Sequence, residues 1–135
     1  MEGAAVNESA ESVVRAFIDA LPRWRADELT GYLADGATWT DGHSDPCVGI
    51  EAIKACIEAI GRLIPGPRVE VGNLLANDST VMVERVDLIR LKGESFEVDV
   101  IGVFDVDGDG RIARWREYYD SRTLEERIIA LLSTP

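Results

Sequence analysis

From Val69 onward the apolar residues stop recurring at a helical period of about 3.6 and alternate with a period of about 2. No other feature constrains the fold as much. The chain before that point reads as helices interrupted by one short strand. After it come four consecutive strands, at roughly 68–76, 80–92, 95–106 and 111–121, joined by turns at "AND", "KGE" and "DGDG". Helices followed by an antiparallel meander predict an α+β architecture, with the helices packed on one face of a curved sheet. At 135 residues, with no linker rich in Pro, Gly or Ser, a single domain over 1–135 is expected.

Upstream, "NESAESVVRAFIDAL" offers Asn7 or Ser9 as a cap and sets Val13, Val14, Phe17, Ile18 and Leu21 at helical spacing. Pro22 interrupts this helix. "RADELTGYLADG" predicts a second helix ending at Gly36, "ATWTDG" a short strand, and "GIEAIKACIEAIGRLI" a third helix with Ile53, Ile57, Ile60 and Ile64 inward. "IPGPR" stops it, and "TLEERIIALL" predicts a closing helix.

Several function classes drop out. Twenty-five Asp and Glu against 14 Lys and Arg give a formal charge of −11, so nucleic acid is not an expected partner. "MEGAAVNESAE" lacks the basic region and apolar run of a signal peptide. No run approaches the ~18 apolar residues of a membrane span. Cys47 and Cys56 fit no C-x-x-C pair and are predicted to be reduced, half-buried thiols of a cytoplasmic protein. A single histidine, His43, cannot build a zinc site with these partners, and no metal is expected. "DVDGDG" matches the first half of an EF-hand loop at Asp105, Asp107, Asp109 and Gly110. However, the position of the closing bidentate Glu is Arg116, so a hairpin turn is predicted instead. With no Gly-rich phosphate loop and no Ser or Cys nucleophile setting, no cofactor is expected.

The strand faces point to a site. In "STVMVERVDLIRL" one face carries Val81, Val83, Arg85, Asp87, Ile89 and Leu91, two charges among four apolar residues. In "SFEVDVIGVFDV" the corresponding face is Phe96, Val98, Val100, Gly102 and Phe104. In "RIARWREYYD" it is Ala113, Trp115, Glu117 and Tyr119. A two-residue turn at Asp107-Gly108 pairs Val98 with Glu117 and Val100 with Trp115, and a four-residue turn keeps the same parity. A two-residue turn in "KGE" sets Asp87 opposite Val98 or Val100. Arg85, Asp87 and Glu117 then share one concave face, with Arg85 and Glu117 on strands two apart and about 9–10 Å between their backbones. An arginine can span that gap and hold both acids. "ATWTDGH" adds Trp39, Asp41 and His43 on one face of the short strand. Trp39, His43, Val98, Val100, Trp115 and Tyr119 are predicted to line the pocket. Fully ionised, three carboxylates and one guanidinium would carry a costly net negative charge, so one acid should keep its proton near neutral pH. A protonated acid beside an ionised one is an acid–base pair. The bland alternative is a structural Arg85–Asp87 ion pair, with Glu117 answering Arg114 or Arg116 on an edge strand.

The run "VERVDLIR…VDVIGVFDVDGDGRIARWREYYD" resembles the C-terminal half of the limonene-1,2-epoxide hydrolase family, within the cone-shaped NTF2-like or SnoaL-like group. The likeness continues through "AFIDAL", "LADGATWTDG" and "VGIEAI", so it spans nearly the whole chain. It implies that Asp87 is the general acid protonating the epoxide oxygen, Arg85 orients both acids, and Glu117 occupies the base position, an aspartate in the family. Trp39 stands where a tyrosine helps hold the attacking water, and Asp41 where an asparagine does. Tryptophan can donate a hydrogen bond but not accept one. Related enzymes of polyether antibiotic pathways resemble the same family and open epoxides with the substrate's own hydroxyl.

The reading is therefore a cofactor-free NTF2-like enzyme that opens an epoxide by concerted acid–base chemistry on an apolar, terpene- or polyketide-like substrate. It is expected to be a homodimer through the outer sheet face. A polyketide cyclase or ketosteroid-isomerase-like enzyme of the same fold, or a non-catalytic small-molecule-binding domain, are the alternatives.

Overall fold

The computed structural model describes residues 9–135. Along them run α1 (Ala10–Ala20), a 3₁₀ turn (Leu21–Arg23), α2 (Ala26–Thr30), β1 (Leu33–Asp41), β2 (Cys47–Val48) and α3 (Ile50–Leu63). Then come β3 (Arg68–Ala76), β4 (Thr80–Leu91), β5 (Glu94–Val106), β6 (Ile112–Tyr118) and α4 (Ser121–Leu132). Ser9 caps α1, its Oγ accepting the Ser12 N–H at 3.1 Å. Asn7, the other cap candidate, lies outside the described residues.

Six strands form one sheet in the order β2-β1-β6-β5-β4-β3. All pairs are antiparallel except β1 with β6. Helices lie on the inner, concave side, so the α+β expectation holds. Phe17 of α1 meets Trp115 edge-on at 4.9 Å, and Trp39 stacks flat on Trp115 at 4.1 Å. These aromatics anchor the main core with Val14, Leu29, Ile53 and Ile57. A second, smaller core of Ile89, Phe96, Val98 and Val100 lies beneath α4, whose Leu124, Ile128 and Leu131 pack on it. Among the described residues no helix is long and apolar enough to cross a membrane.

Three local expectations need correction. The second helix stops at Thr30, and Leu33 already belongs to β1, paired with Ile112 and fully buried. Long-range pairing overrides the helical pattern of "YLADG". Cys47 and Cys56 are joined in a disulfide rather than free. Spacing ruled out a metal or C-x-x-C pair, but it could not reveal that pairing of Cys47 with Trp39 turns β2 back alongside α3. Disulfides persist in oxidising compartments, so thiols no longer support a cytoplasmic placement.

The third correction concerns the β5–β6 register. The β4–β5 turn is as tight as predicted. Lys92 and Gly93 both have positive φ (52° and 81°), as a type I′ turn requires, and Asp87 faces Val98. The next hairpin has a longer loop over 107–111, because the Asp107 carboxylate accepts the N–H groups of Asp109 and Arg111 at 2.9 and 3.0 Å. Asp105 is bonded to Thr80 and Arg116, so two of these carboxylates serve the hairpin itself. Glu117 therefore faces Gly102 and Trp115 faces Phe104, not Val98 and Val100. The slip at Trp115 and Glu117 is even-numbered, so both keep their face, whereas at the bulge between Asp105 and Val106 the register shifts by one and Ile112, opposite Val106, is buried in place of Ala113.

Candidate active site

On β4, burial alternates as the sequence demanded: Val81, Val83, Arg85, Asp87 and Ile89 are all inside. Arg85 is 5% exposed, Asp87 8% and Glu117 6%, so all three charges sit in low dielectric. Arg85 and Glu117 stand on strands separated by β5. The guanidinium crosses β5 at Gly102, where a Cβ would lie 2.9 Å from Glu117 Oε2, 3.0 Å from Arg85 Nη1 and 2.8 Å from Phe104 Cε1. Only hydrogen fits there. A glycine inside a strand commonly marks such a close approach. Its place in an otherwise apolar face is the one signal in the sequence that could have located this crossing.

Arg85 grips both acids at once. Its Nε and Nη2 donate to Asp87 Oδ1 and Oδ2 at 2.9 and 3.0 Å. Nη1 donates to Glu117 Oε2 at 2.9 Å, and Nη2 also donates to Glu117 Oε1. Two forked, charge-assisted contacts fix the orientation of both carboxyl groups. Arg114 and Arg116 turn instead to Asp105, at 3.5 and 2.7 Å. Glu117 thus answers Arg85 rather than its neighbours, and β6 lies inside the sheet rather than at its edge.

β1 supplies the other wall. Its parallel register sets Asp41 beside Glu117 and Trp39 beside Trp115. Asp41 lines the pocket, as do Trp39, Val98, Val100 and Tyr119. Two predicted lining residues do not. Trp115 is 1% exposed and sits behind Trp39 as core. His43 is out on the surface because β1 ends at Asp41 and Gly42 turns the chain at φ 60°. There its Nε2 lies 3.2 Å from Glu125 and its Nδ1 contacts Ser121 Oγ, latching this turn to α4. The Trp39 Nε1 is itself buried, with no partner among the described residues, so the indole offers the pocket its ring. Trp24, Ile60, Ile64, Pro67 and Leu124 are among the other wall residues. Ile60 and Ile64 continue the predicted inward stripe of α3, and the far end of that stripe opens onto the pocket.

Electrostatics follow from burial. Burial pushes the Glu117 carboxyl above its usual range; Arg85 pulls it back, while the Asp87 and Asp41 charges add to the rise. Asp41 is raised as well, first by burial, against the opposing effects of the Tyr119 hydroxyl and Arg85. Burial works to lower Arg85, but its two partners outweigh it and the guanidinium stays charged. Tyr119 is raised by burial and by Asp41. A pocket with largely apolar walls, holding oriented acids and one permanent cation, can give a proton to one atom of a ligand while taking one from another.

Comparison with known proteins bears on the family and the fold. A family model described as a SnoaL-like domain matches residues 14–115. Epoxide hydrolase EphG of Mycobacterium tuberculosis is 32% identical over 108 residues, covering 79% of this chain and 70% of that protein. The structure of an LEH-like epoxide hydrolase from M. tuberculosis superposes with a TM-score of 0.73 at 26% identity, covering 91% of each chain. The epoxide hydrolase/cyclase-like enzyme SalBIII, with a role in pyran ring formation in the polyether salinomycin, shares the fold. Its TM-score is 0.72 at 15% identity, over 84% of this chain and 92% of that one. The fold is the NTF2-like cone.

Proposed function

The chain belongs to the SnoaL-like domain family, and from that premise we propose that it is an enzyme that opens an epoxide by acid–base chemistry, without a cofactor. One observation carries the reading: a buried arginine forked to two carboxyl groups at the floor of an apolar pocket. A purely structural pair would not need a cleft beside it, and a single-base isomerase would have no use for the clamp. Asp87 donates its proton to the epoxide oxygen as the C–O bond breaks. Glu117 takes the proton of the oxygen that attacks, and Arg85 holds both in register. Product release lets the proton return from Glu117 to Asp87 through solvent. Such positioned transfers are worth about 10²–10⁴ each in rate.

The activity of the EphG relative favours water as nucleophile; the likeness to SalBIII is one of fold and keeps an internal hydroxyl in view. The test is incubation in ¹⁸O water with limonene-1,2-epoxide and with a hydroxy-epoxide able to close to a furan or pyran ring. Labelled diol means hydrolysis, and unlabelled cyclic ether means ring formation. Absence of turnover on a broad epoxide panel would remove the proposal.

The protein is further proposed to pair with a second copy through the outer sheet face. Leu75 and its partner Met82, and Ile101 and its partner Tyr118, lie there exposed, at 74%, 50%, 38% and 53%. The same face carries Arg114 and Arg116 towards one side and Glu70, Glu84 and Asp99 towards the other, which suits a two-fold contact. Sedimentation should give a dimer for the wild type and a monomer for Met82→Glu. A monomeric wild type would refute it.

A further inference from the structure

Trp24 stands in a backbone conformation that its side chain does not favour. The 3₁₀ turn Leu21–Arg23 ends on it in the left-handed region, at φ 46° and ψ 49°, with the Trp24 N–H donated to Leu21 O at 3.0 Å. Residues that end a helix in that region are usually glycine, sometimes asparagine, and a bulky one is an outlier. Its ring holds it there. The indole Nε1 donates to Ile57 O of α3 at 2.9 Å. Gly61, one turn further along α3, makes room for the ring, since a Cβ there would lie 3.1 Å from Trp24 Cδ1. At Gly66 a Cβ would lie 3.0 Å from Trp24 Cβ and 2.3 Å from Pro22 O. The ring is therefore fixed in place and its one polar group is already engaged. Packing alone does not explain the placement, because Trp24 is only half-buried and lines the pocket. Backbone strain imposed by the surroundings clusters at ligand clamps and active sites.

The surroundings of the ring indicate what it would meet. Trp24 lies 6.3 Å from Trp39 at an interplanar angle of 63°, so the two indoles form a corner. Trp39 is backed in turn by Trp115. Asp41 follows Trp39 on the same face of β1, about 6–7 Å along the strand, so the corner lies one pleat repeat from the carboxyl groups. The wall residues from the same helices and loops, Leu21, Ile60, Ile64, Pro65 and Pro67, offer nothing polar. A flat aromatic ring in such a corner can lie offset against one indole and edge-on to the other, whereas a saturated ring gains from buried area alone. We propose that Trp24 is a specificity-determining residue and that it selects epoxides carrying an aromatic ring close to the oxirane. This rests on the epoxide-opening reading and names its substrate class. The ring docks against Trp24 and Trp39 and sets the oxirane before Asp87 and Glu117.

Benzyloxirane and cyclohexylmethyloxirane test this, because a methylene insulates each oxirane from its ring and keeps their intrinsic reactivity alike. Wild-type protein should favour the aromatic epoxide about tenfold in kcat/KM, the size expected of one or two aromatic contacts. Trp24→Gly suits the left-handed backbone and should fold, and Trp24→Leu keeps an apolar side chain without the ring. Both variants should bring the ratio close to unity, through KM rather than kcat, because the lost contact is made equally before and during reaction. A wild type without preference, or a preference unchanged in Trp24→Leu, overturns the proposal. So does an equal loss on both substrates, the mark of a structural anchor. Calorimetric binding of the two corresponding diols needs no turnover and should show the same preference and the same dependence on Trp24. A protein that opens neither epoxide but keeps this binding pattern would remove the epoxide reading and leave the aromatic corner standing.

Discussion

Replacing Asp87 by Asn should abolish epoxide opening, by about 10²–10⁴ in turnover, while leaving ligand affinity nearly unchanged. The introduced amide would keep an oxygen for the Arg85 Nε–H, which donates to Asp87 Oδ1 at 2.9 Å. Its nitrogen would instead face the Nη2 donor and lose one fork of the clamp. The pocket walls, built from Val98, Val100, Trp39 and Tyr119, are untouched, so binding of an unreactive analogue reports the intact cleft. Calorimetric titration alongside turnover separates the two effects. An interaction used only in the transition state lowers kcat and kcat/KM together. Unchanged turnover would remove Asp87 from the acid role, and loss of binding with loss of fold would assign it to structure.

Removing the cation should be the most damaging change to stability. Arg85→Leu leaves Asp87 and Glu117 buried with no positive partner, and breaking one side of a buried ion pair typically costs about 3–5 kcal/mol. The pH dependence gives the sign. Burial already raises the Glu117 carboxyl, and without the opposing pull of Arg85 it keeps its proton to still higher pH in the folded protein than in the unfolded chain. Such groups favour the fold at low pH, and that favour is lost as pH rises through their folded range. The gap between wild type and Arg85→Leu should therefore be small in acid and widest near neutral pH. Denaturant melts across that range measure it. A gap constant with pH would mean that the loss is one of packing alone.

The strand faces were legible because parity is insensitive to the length of a turn, provided the slip is even. Val81 through Ile89 on β4 and Trp115 and Glu117 on β6 all point inward as their alternation required. Partner residues were not legible. The Asp107 carboxylate builds a longer loop than "DGDG" suggested, which moved Glu117 from Val98 to Gly102. Nor could local pattern foresee events decided by distant chain. Leu33 joined the sheet through Ile112, Cys47 met Cys56 through the β1–β2 turn, and His43 left the pocket where β1 ended. Trp115 shared the predicted inward face but was covered by Trp39, because a face shows which way a residue points and not what lies in front of it.

The parallel seam between β1 and β6 has a kinetic consequence. β4, β5 and β6 are successive hairpin partners and can zip locally, bringing Arg85 to both of its acids early. β1 reaches β6 only after the long span from 42 to 111 has closed, a slow, entropy-limited event. In that order the guanidinium would meet Glu117 before the last wall arrives to exclude water, and the chain would not have to seal a bare charge indoors.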